Sequence, residues 1–349
     1  MINKSEMTKI SIIAEMAWSH DGSVSKAIKL LRAAKNSGAN YFGIHITNLK
    51  TYMSKYYQNS PGKVSQGKEN LDIYKYLDKI NLTNENWILL KKTAKKIKME
   101  LCVMPNDIES LTFTKKYIKP EMYALSAASF NEKLMINRIA GTKKKVVIRT
   151  GGATLNKIKK IKKIFKKKKN NKFTLLHGIQ VYPTSVGEIN LNQLTTLKKK
   201  FKCSIGLADH IDGGNEFAIY LPALAVPLGV DVIEKHITLD RKEKSEDFEA
   251  ALDPKNFEKM VRSIKLSIKS LGKKNFSGLS KSELRYRQVS RKRTVAKIKI
   301  NKGDKISPKN IIFKRSDTGI DPLKIENYFG KKSKKEINED LPILKRNLY

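Results

Sequence analysis

The chain has 349 residues, 40% of them hydrophobic, which is enough for one large domain and a small second one and excludes global disorder. Its net charge of +38 would suit a nucleic acid, but lysines are spread over nearly the whole chain and no zinc-finger, RRM or KH pattern occurs, so we expect no nucleic-acid partner. No run approaches the roughly 18 apolar residues that span a bilayer and the N-terminus lacks a secretory signal, so we expect a cytoplasmic protein without a membrane partner.

Short apolar runs rich in β-forming residues recur along the chain, and amphipathic stretches typical of helices separate them. The pattern predicts eight strands, at 11–17, 41–47, 100–104, 122–127, 145–150, 174–180, 204–210 and 230–238. The intervening stretches supply the helical crossovers that parallel strands require. Eight β/α units in about 250 residues predict an α/β fold, a TIM barrel.

Two segments interrupt the alternation in the barrel region. Residues 51–70 contain Gly, Pro, Ser, Tyr and Lys and predict a long loop after the second strand, a candidate lid on the face where barrel active sites lie. The lysine-rich run 157–172 has its apolar residues at helical spacing, so we expect its lysines to form a solvated outer helix face.

The end of the chain differs in composition from the barrel region. We assign the barrel domain to residues 1–271 and a linker to residues 272–290, which are polar and show no clear periodicity. Residues 291–349 alternate short strand-like pieces with turns and predict a small β-rich domain.

Each of the 5 histidines falls in or just after a predicted strand: His20, His45, His177, His210 and His236. Because alternate residues of a strand share a side, Ala208 and His210 point into the barrel from strand seven, and Glu234 and His236 from strand eight. His210 and His236 therefore meet at the barrel mouth. Two neutral imidazoles there suit a divalent transition metal that is held open for substrate.

Three further side chains are site candidates. Glu15 lies in an otherwise apolar row of strand one, where a carboxylate is tolerated only if it is paired or functional. His45 points inward, whereas His177 is out of phase and is predicted to be structural. Asp247 lies on a loop beyond strand eight that we expect to overhang the mouth.

Five stretches carry a family resemblance. In chain order they read IIAEMAWSHDGS, HGIQVYPT, GLADH, VIEKHITLD…EDFEAALDP and KRTVAKIKINKGDKISPKNIIFKRSDTGIDP. The first four resemble motifs of the sialic acid synthases, which condense phosphoenolpyruvate with an N-acetylated hexose to form nonulosonic acids. The fifth resembles the SAF, or antifreeze-like, domain that follows the barrel in these enzymes. The resemblance covers nearly the whole chain.

The resemblance implies a cofactor, substrates and an oligomeric state. His210 and His236 would hold a divalent metal, Mn²⁺ with Mg²⁺ or Co²⁺ as alternatives, that acts as a Lewis acid on the sugar aldehyde. Glu15, Tyr182 and Asp247 would contact the sugar as catalytic residues. Substrate-binding roles are implied for Gln180, which stands at the motif asparagine, and for Asp209. Arg315 would cover the site of a second copy, so we expect a homodimer.

The departures from the family concentrate on the phosphoenolpyruvate side. Gly43 stands where the family has a lysine, and Arg149 and Ala208 stand where it has serines. The lysine, glycine, serine and glutamate of a strand-four motif are replaced by Ala124, Ser126, Ala127 and Ser129. We hypothesise that Arg149, His45, Ser126 and Ser129 compensate, because a guanidinium at a strand end binds phosphate bidentately.

The residues leave three functions open. The first is a nonulosonate synthase that serves surface-polysaccharide biosynthesis. The second is a metal-dependent aldolase or lyase on the same barrel that does not use phosphoenolpyruvate. The third is a non-catalytic carbohydrate- or nucleic-acid-binding protein. The joint retention of both mouth histidines, Glu15, Tyr182 and Asp247 argues against it.

Overall fold

The computed structural model describes residues 10–57, 71–272 and 278–349. Contacts divide the chain into two units, Met1–Gly272 and Lys273–Tyr349. Residues 58–70, which make up most of the candidate lid, lie outside the described residues. Across the described ranges, no helix is long and apolar enough to cross a membrane.

The first unit is a closed parallel barrel. Its strands within the described residues are β1 (Ser11–Glu15), β2 (Tyr41–Ile46), β3 (Glu100–Pro105), β4 (Met122–Leu125), β5 (Lys145–Arg149), β6 (Phe173–His177), β7 (Ser204–Asp209) and β8 (Val232–Ile237). Each strand pairs in parallel with the next, and β8 pairs with β1. The predicted α/β barrel of TIM type is therefore confirmed, with small differences at the strand ends.

Helices follow the strands. In the described part of the first unit they are α1 (Val24–Asn36), α2 (Leu49–Tyr52), α3 (Ile73–Ile80), α4 (Asn84–Lys96), α5 (Ile108–Phe113), α6 (Lys133–Gly141), α7 (Leu155–Lys167), α8 (Asn192–Phe201), α9 (Phe217–Leu224) and α10 (Pro254–Ser270). Many begin at a short polar residue whose side chain accepts a backbone N–H of the first turn, as Ser23, Thr83, Thr154 and Asp253 do.

The lysine-rich run forms α7 as the periodicity predicts. Ile158, Ile161 and Phe165 are buried, whereas Lys159 and Lys163 are exposed. Since the apolar side chains occupy one face and pack on the barrel, the lysines are left on the solvated side. The spacing of the apolar residues in the run is therefore explained by packing on the barrel.

Strand alternation separates two cores in the barrel. Ile205, Leu207 and Ile233 belong to the core between strands and helices. Ala208 and Val232 belong to the smaller core that fills the barrel interior. This is the predicted division of strands seven and eight, and the same alternation directs His210, and then Glu234 and His236, to the inner side.

Two elements differ from the prediction. The segment expected to be an irregular linker contains α11 (Lys281–Ser290), none of whose residues is buried, so it has no apolar periodicity. A capping box between Ser280 and Glu283 starts this helix, and that S-x-x-E signal stands in the sequence. The strand β9 (Ala251–Leu252) extends the barrel sheet beside β8 and is too short to produce a pattern.

The second unit has a small core of its own. The strand β10 (Lys292–Ala296) pairs antiparallel with β11 (Ile311–Arg315). Its buried residues include Ile300, Ile306 and Ile343. Isolated bridges such as that between Ile300 and Ile337 complete a β-rich module, as expected from the alternation of short strands and turns.

Candidate active site

Four charged or polar side chains converge in the barrel interior just below the mouth. They are Glu15 from β1, His45 from β2, Arg149 from β5 and Glu234 from β8. Arg149 Nη2 lies 2.5 Å from Glu15 Oε2 and 2.9 Å from Glu234 Oε2. Because β5 and β1 stand on opposite sides of an eight-stranded barrel, the Arg149 side chain crosses the barrel to reach Glu15.

This cluster is buried, and the charge on each side chain shifts the pKa of its neighbours. Glu15 and Glu234 are each 1% exposed. Burial opposes the charged form of Arg149, but the negative charges of Glu234 and Glu15 outweigh it and raise the pKa of Arg149. Burial lowers the pKa of His45 well below its usual range, and the charge of Arg149 lowers it further. His45 is therefore neutral beside two carboxylates that share one guanidinium.

The position of Arg149 corrects its expected role. Its Nη2 donates to the two carboxylates, and its Nη1 donates to Met104 Sδ at 3.0 Å and lies 3.2 Å from His45 Nε2. Both terminal nitrogens are thus committed inside the barrel. The guanidinium of Arg149 is therefore not free to bind a phosphate group through two donors, because the carboxylates of Glu15 and Glu234 already accept its hydrogen bonds.

His210 and His236 lie together at the mouth with their ring centroids 5.4 Å apart. His210 Nδ1 is 2.6 Å from the carbonyl oxygen of Ile179, so this nitrogen carries the proton and Nε2 keeps its lone pair. Burial lowers the pKa of His210 to about 3. Burial and the neighbouring His210 also lower the pKa of His236 well below its usual range. Both rings are neutral at pH 7.

The donor set fits a divalent metal with only two protein ligands. His236 Nδ1 is buried and has no hydrogen-bond partner among the described residues. Neutral imidazole is a good ligand for divalent transition metals. Within the described ranges no group of three or more His, Cys, Asp and Glu side chains is arranged to hold a metal ion, so the other coordination positions would fall to water and substrate.

Tyr182 stands beside the two histidines. Its ring centroid is 4.5 Å from that of His210 and 5.4 Å from that of His236. Its hydroxyl donates to Gln180 Oε1 at 3.0 Å. Burial raises the pKa of Tyr182, and the charge of Asp247 is the next largest cause. Asp247 lies on the loop after β8, and its negative charge also favours the protonated hydroxyl of Tyr182.

Arg241 fixes that loop and was not singled out from the sequence. It follows the strand-eight motif, and its Nη1 donates to the carbonyl oxygens of Phe248, Glu249 and Ala251. Its Nη2 donates to Asp212 Oδ1 at 2.7 Å. The loop after β7, which begins at His210, is thereby joined to the loop after β8, which carries Asp247.

Asp209 lies on the outer side of β7, and this corrects its expected substrate-binding role. Its Oδ2 is 2.9 Å from Lys235 Nζ, and both side chains are completely buried. Asp209 has the parity of Ile205 and Leu207, which face the helices, so alternation along β7 excludes it from the mouth.

The remaining predicted residues are placed as follows. Ser126 caps the short 3₁₀ helix Ala127–Asn131 at the end of β4, and Ser129 is buried within that helix. His177 Nε2 lies 2.8 Å from the carbonyl oxygen of Ile189, as expected for a structural histidine. Arg315 is the exposed last residue of β11 in the second unit.

The carboxyl ends of the barrel strands carry neutral imidazoles, a tyrosine and buried carboxylates. This combination is typical of the class of TIM-barrel enzymes. A family model described as the NeuB family matches residues 30–276. The chain belongs to the NeuB family.

Its relatives are named synthases. An N,N'-diacetyllegionaminic acid synthase of Campylobacter jejuni is 30% identical over 336 residues, covering 96% of this chain and 98% of that protein. A pseudaminic acid synthase of the same species is 30% identical over 341 residues, with 94% of each chain covered. The crystal structure of an N-acetylneuraminic acid synthetase from Leptospira borgpetersenii, in complex with citrate, is 27% identical with a TM-score of 0.69 and covers 80% of this chain and 91% of that one.

Proposed function

We propose that the chain condenses phosphoenolpyruvate with an N-acetylated hexose to form a sialic acid-like nonulosonate for surface-carbohydrate biosynthesis in the cytoplasm. The observation that carries the proposal is the pair of neutral imidazoles beside Tyr182 at the mouth of a NeuB-family barrel. Carbon 3 of phosphoenolpyruvate attacks the open-chain aldehyde, water adds at carbon 2, and the tetrahedral adduct expels inorganic phosphate.

The proposed cofactor is a divalent metal, Mn²⁺ with Mg²⁺ or Co²⁺ as alternatives, held by His210 and His236. When bound, it supplies Lewis acidity for a sugar carbonyl. Glu15, Tyr182 and Asp247 orient the sugar, and the raised pKa of Tyr182 keeps its hydroxyl protonated as a hydrogen-bond donor. His45, Ser126, Ser129 and Gln180 are the proposed polar contacts of phosphoenolpyruvate.

The proposed active species is a homodimer. The second unit is proposed to be a SAF-like domain that covers the mouth of the other copy, with the exposed Arg315 directed at the sugar. The resemblance of residues 292–322 to that domain supports this arrangement, because the same surface then serves both copies under two-fold symmetry.

The test is release of phosphate from phosphoenolpyruvate in the presence of Mn²⁺, with and without a panel of N-acetylated hexoses. We expect release that depends on one sugar and is lost in His236→Ala. A parallel thermal melt should show that Mn²⁺ stabilises the native protein and leaves His210→Ala/His236→Ala unchanged. No release with any sugar from a folded, metal-loaded protein would reject the synthase.

One observation favours a second candidate, the metal-dependent aldolase or lyase. Arg149 is committed to Glu15 and Glu234, and the inward positions Gly43 and Ala124 carry no charge. A site of this kind would cleave a nonulosonate to pyruvate and the N-acetylated hexose without using phosphate. Metal-dependent pyruvate formation, with no phosphate release from phosphoenolpyruvate, would identify this activity.

A further inference from the structure

Because Gly43 has no side chain, the carboxylate of Glu15 can occupy the space beside it. The two residues are register partners on the neighbouring strands β1 and β2. A Cβ built on Gly43 would lie 2.3 Å from Glu15 Oε2 and 2.7 Å from Glu15 Cδ, far closer than carbon atoms approach non-bonded neighbours. The backbone of Gly43 does not require glycine, because its φ is not in the left-handed region. Glu15 Cα would lie 3.1 Å from the same Cβ, a tight but longer approach, so space, limited most by the carboxylate, is the reason for glycine at this position.

The same carboxylate is held at both oxygens. Oε1 accepts a hydrogen bond from the backbone N–H of Ala17 at 3.0 Å and lies 3.3 Å from His45 Nε2. Oε2 accepts the bond from Arg149, which reaches it from across the barrel. With the side chain of residue 43 absent, one rotamer of Glu15 satisfies both contacts, and charge-assisted bonds of this kind are among the strongest in proteins.

We propose that Gly43 and Arg149 are positioning residues for Glu15. Gly43 provides the space, and Arg149 fixes the carboxylate, so that the acid is presented to the sugar in a single orientation. This inference rests on the proposed function for the role of Glu15 toward sugar. The contact network itself does not depend on which reaction the site performs.

The first test is Gly43→Ala, with Gly141→Ala as the matched control because a Cβ on Gly141 meets no atom within 4 Å. We expect Gly43→Ala to raise the KM for the sugar about tenfold, which corresponds to about 1.4 kcal/mol, and to change the KM for phosphoenolpyruvate less than about twofold. The control should change neither. Equal effects of the two variants would overturn the proposal.

The second test does not require activity. Urea midpoints are measured for Gly43→Ala, Glu15→Ala and the double variant, and we expect Gly43→Ala to lower the midpoint clearly in the native background and little in the Glu15→Ala background. If Gly43→Ala fails to fold, the double variant should fold. Additive shifts, or failure of both to fold, would mean that the added methyl group meets the backbone instead, and would overturn the proposal.

The third test concerns Arg149. Arg149→Met should raise the sugar KM and lower kcat, and Arg149→Lys should recover part of the loss, because an ammonium group can replace Nη2 at the carboxylates but not Nη1 at Met104 and His45. A purely structural role predicts equal changes in both KM values and no recovery by lysine. If coupling between residues 15 and 43 appears but phosphoenolpyruvate releases no phosphate with any sugar, the proposed function fails while the positioning of Glu15 stands.

Discussion

Lys235 and Asp209 form an ion pair on the outer side of the barrel, directly behind the two mouth histidines. Nζ lies 2.9 Å from Oδ2, and neither side chain is exposed. Lys235 Nζ also donates to the carbonyl oxygen of Ile211 at 3.0 Å. Since each charged residue precedes a mouth histidine in the chain, the pair fixes the ends of β7 and β8 relative to each other.

Lys235→Met is expected to lower the free energy of unfolding by about 3–5 kcal/mol, because it leaves Asp209 charged, buried and unpaired. Urea denaturation measures the change. Replacing both residues, as in Asp209→Leu/Lys235→Met, should recover most of the loss. A cost of less than about 1 kcal/mol for the single variant would contradict a buried pair.

His20 is expected to make stability depend on pH. Burial lowers the pKa of His20 from 6.5 to about 4. Between pH 6.5 and pH 4 the unfolded chain binds a proton at His20 that the folded chain does not bind. The contribution of neutral His20 to the free energy of unfolding is therefore complete above about pH 6.5 and is lost as the pH falls toward 4. The slope for one proton is about 1.4 kcal/mol per pH unit. In His20→Gln, unfolding measured at pH 7, 6 and 5 should show a shallower decline, and identical slopes would contradict this origin.

Phe165→Ala in α7 is expected to cost about 3–5 kcal/mol, because the ring is fully buried and packs edge-on against Phe173 at a centroid distance of 5.3 Å. The matched control is Lys163→Gln on the exposed face of the same helix, which should change stability by less than about 0.5 kcal/mol. Thermal or urea unfolding measures the change in stability of both variants. A large effect of the lysine variant would show that the basic run has a structural role.

Arg241→Met is expected to loosen two loops at once. Arg241 binds the backbone of 248–251 and Asp212, and the backbone N–H of Gly213 donates to the carbonyl oxygen of Glu249 at 2.7 Å. Hydrogen exchange should accelerate in peptides that cover 211–215 and 246–252, because the variant removes the hydrogen bonds through which Arg241 joins these two loops. The exposed neighbour Lys242→Met is the control. Faster exchange in only one of the loops would mean that Arg241 does not join them.

Much of the fold followed from local pattern. Eight apolar runs with helical segments between them specify a parallel barrel, because parallel strands require crossovers and bury both faces. α11 has no buried residue to produce periodicity, and β9 consists of two residues that join the sheet only because β8 is already in place. Hydrophobic pattern therefore predicts the elements that build a core and misses those that do not.

The site divides in the same way. Strand parity alone places His210, His236 and Glu15 inward, since it depends only on counting along one strand. Parity also excludes Asp209, although the motif resemblance suggested a substrate contact for it. The partners of Arg149 lie on β1 and β8, and no single strand contains the information that they meet. The carboxylates that neutralise this arginine were therefore visible only in the assembled barrel.

The cross-barrel pairing of Arg149 makes residues 43 and 149, which lie on different strands, depend on the same carboxylate. By the resemblance described above, a lysine would be expected at the position of Gly43 and a serine at that of Arg149. In this chain the interior carboxylates of Glu15 and Glu234 have Arg149 as their cation, and the carboxylate of Glu15 fills the space that a side chain at residue 43 would need. A side chain at residue 43 and a neutral residue at 149 would each disturb the same carboxylate, so we expect residues 43 and 149 to vary together among relatives.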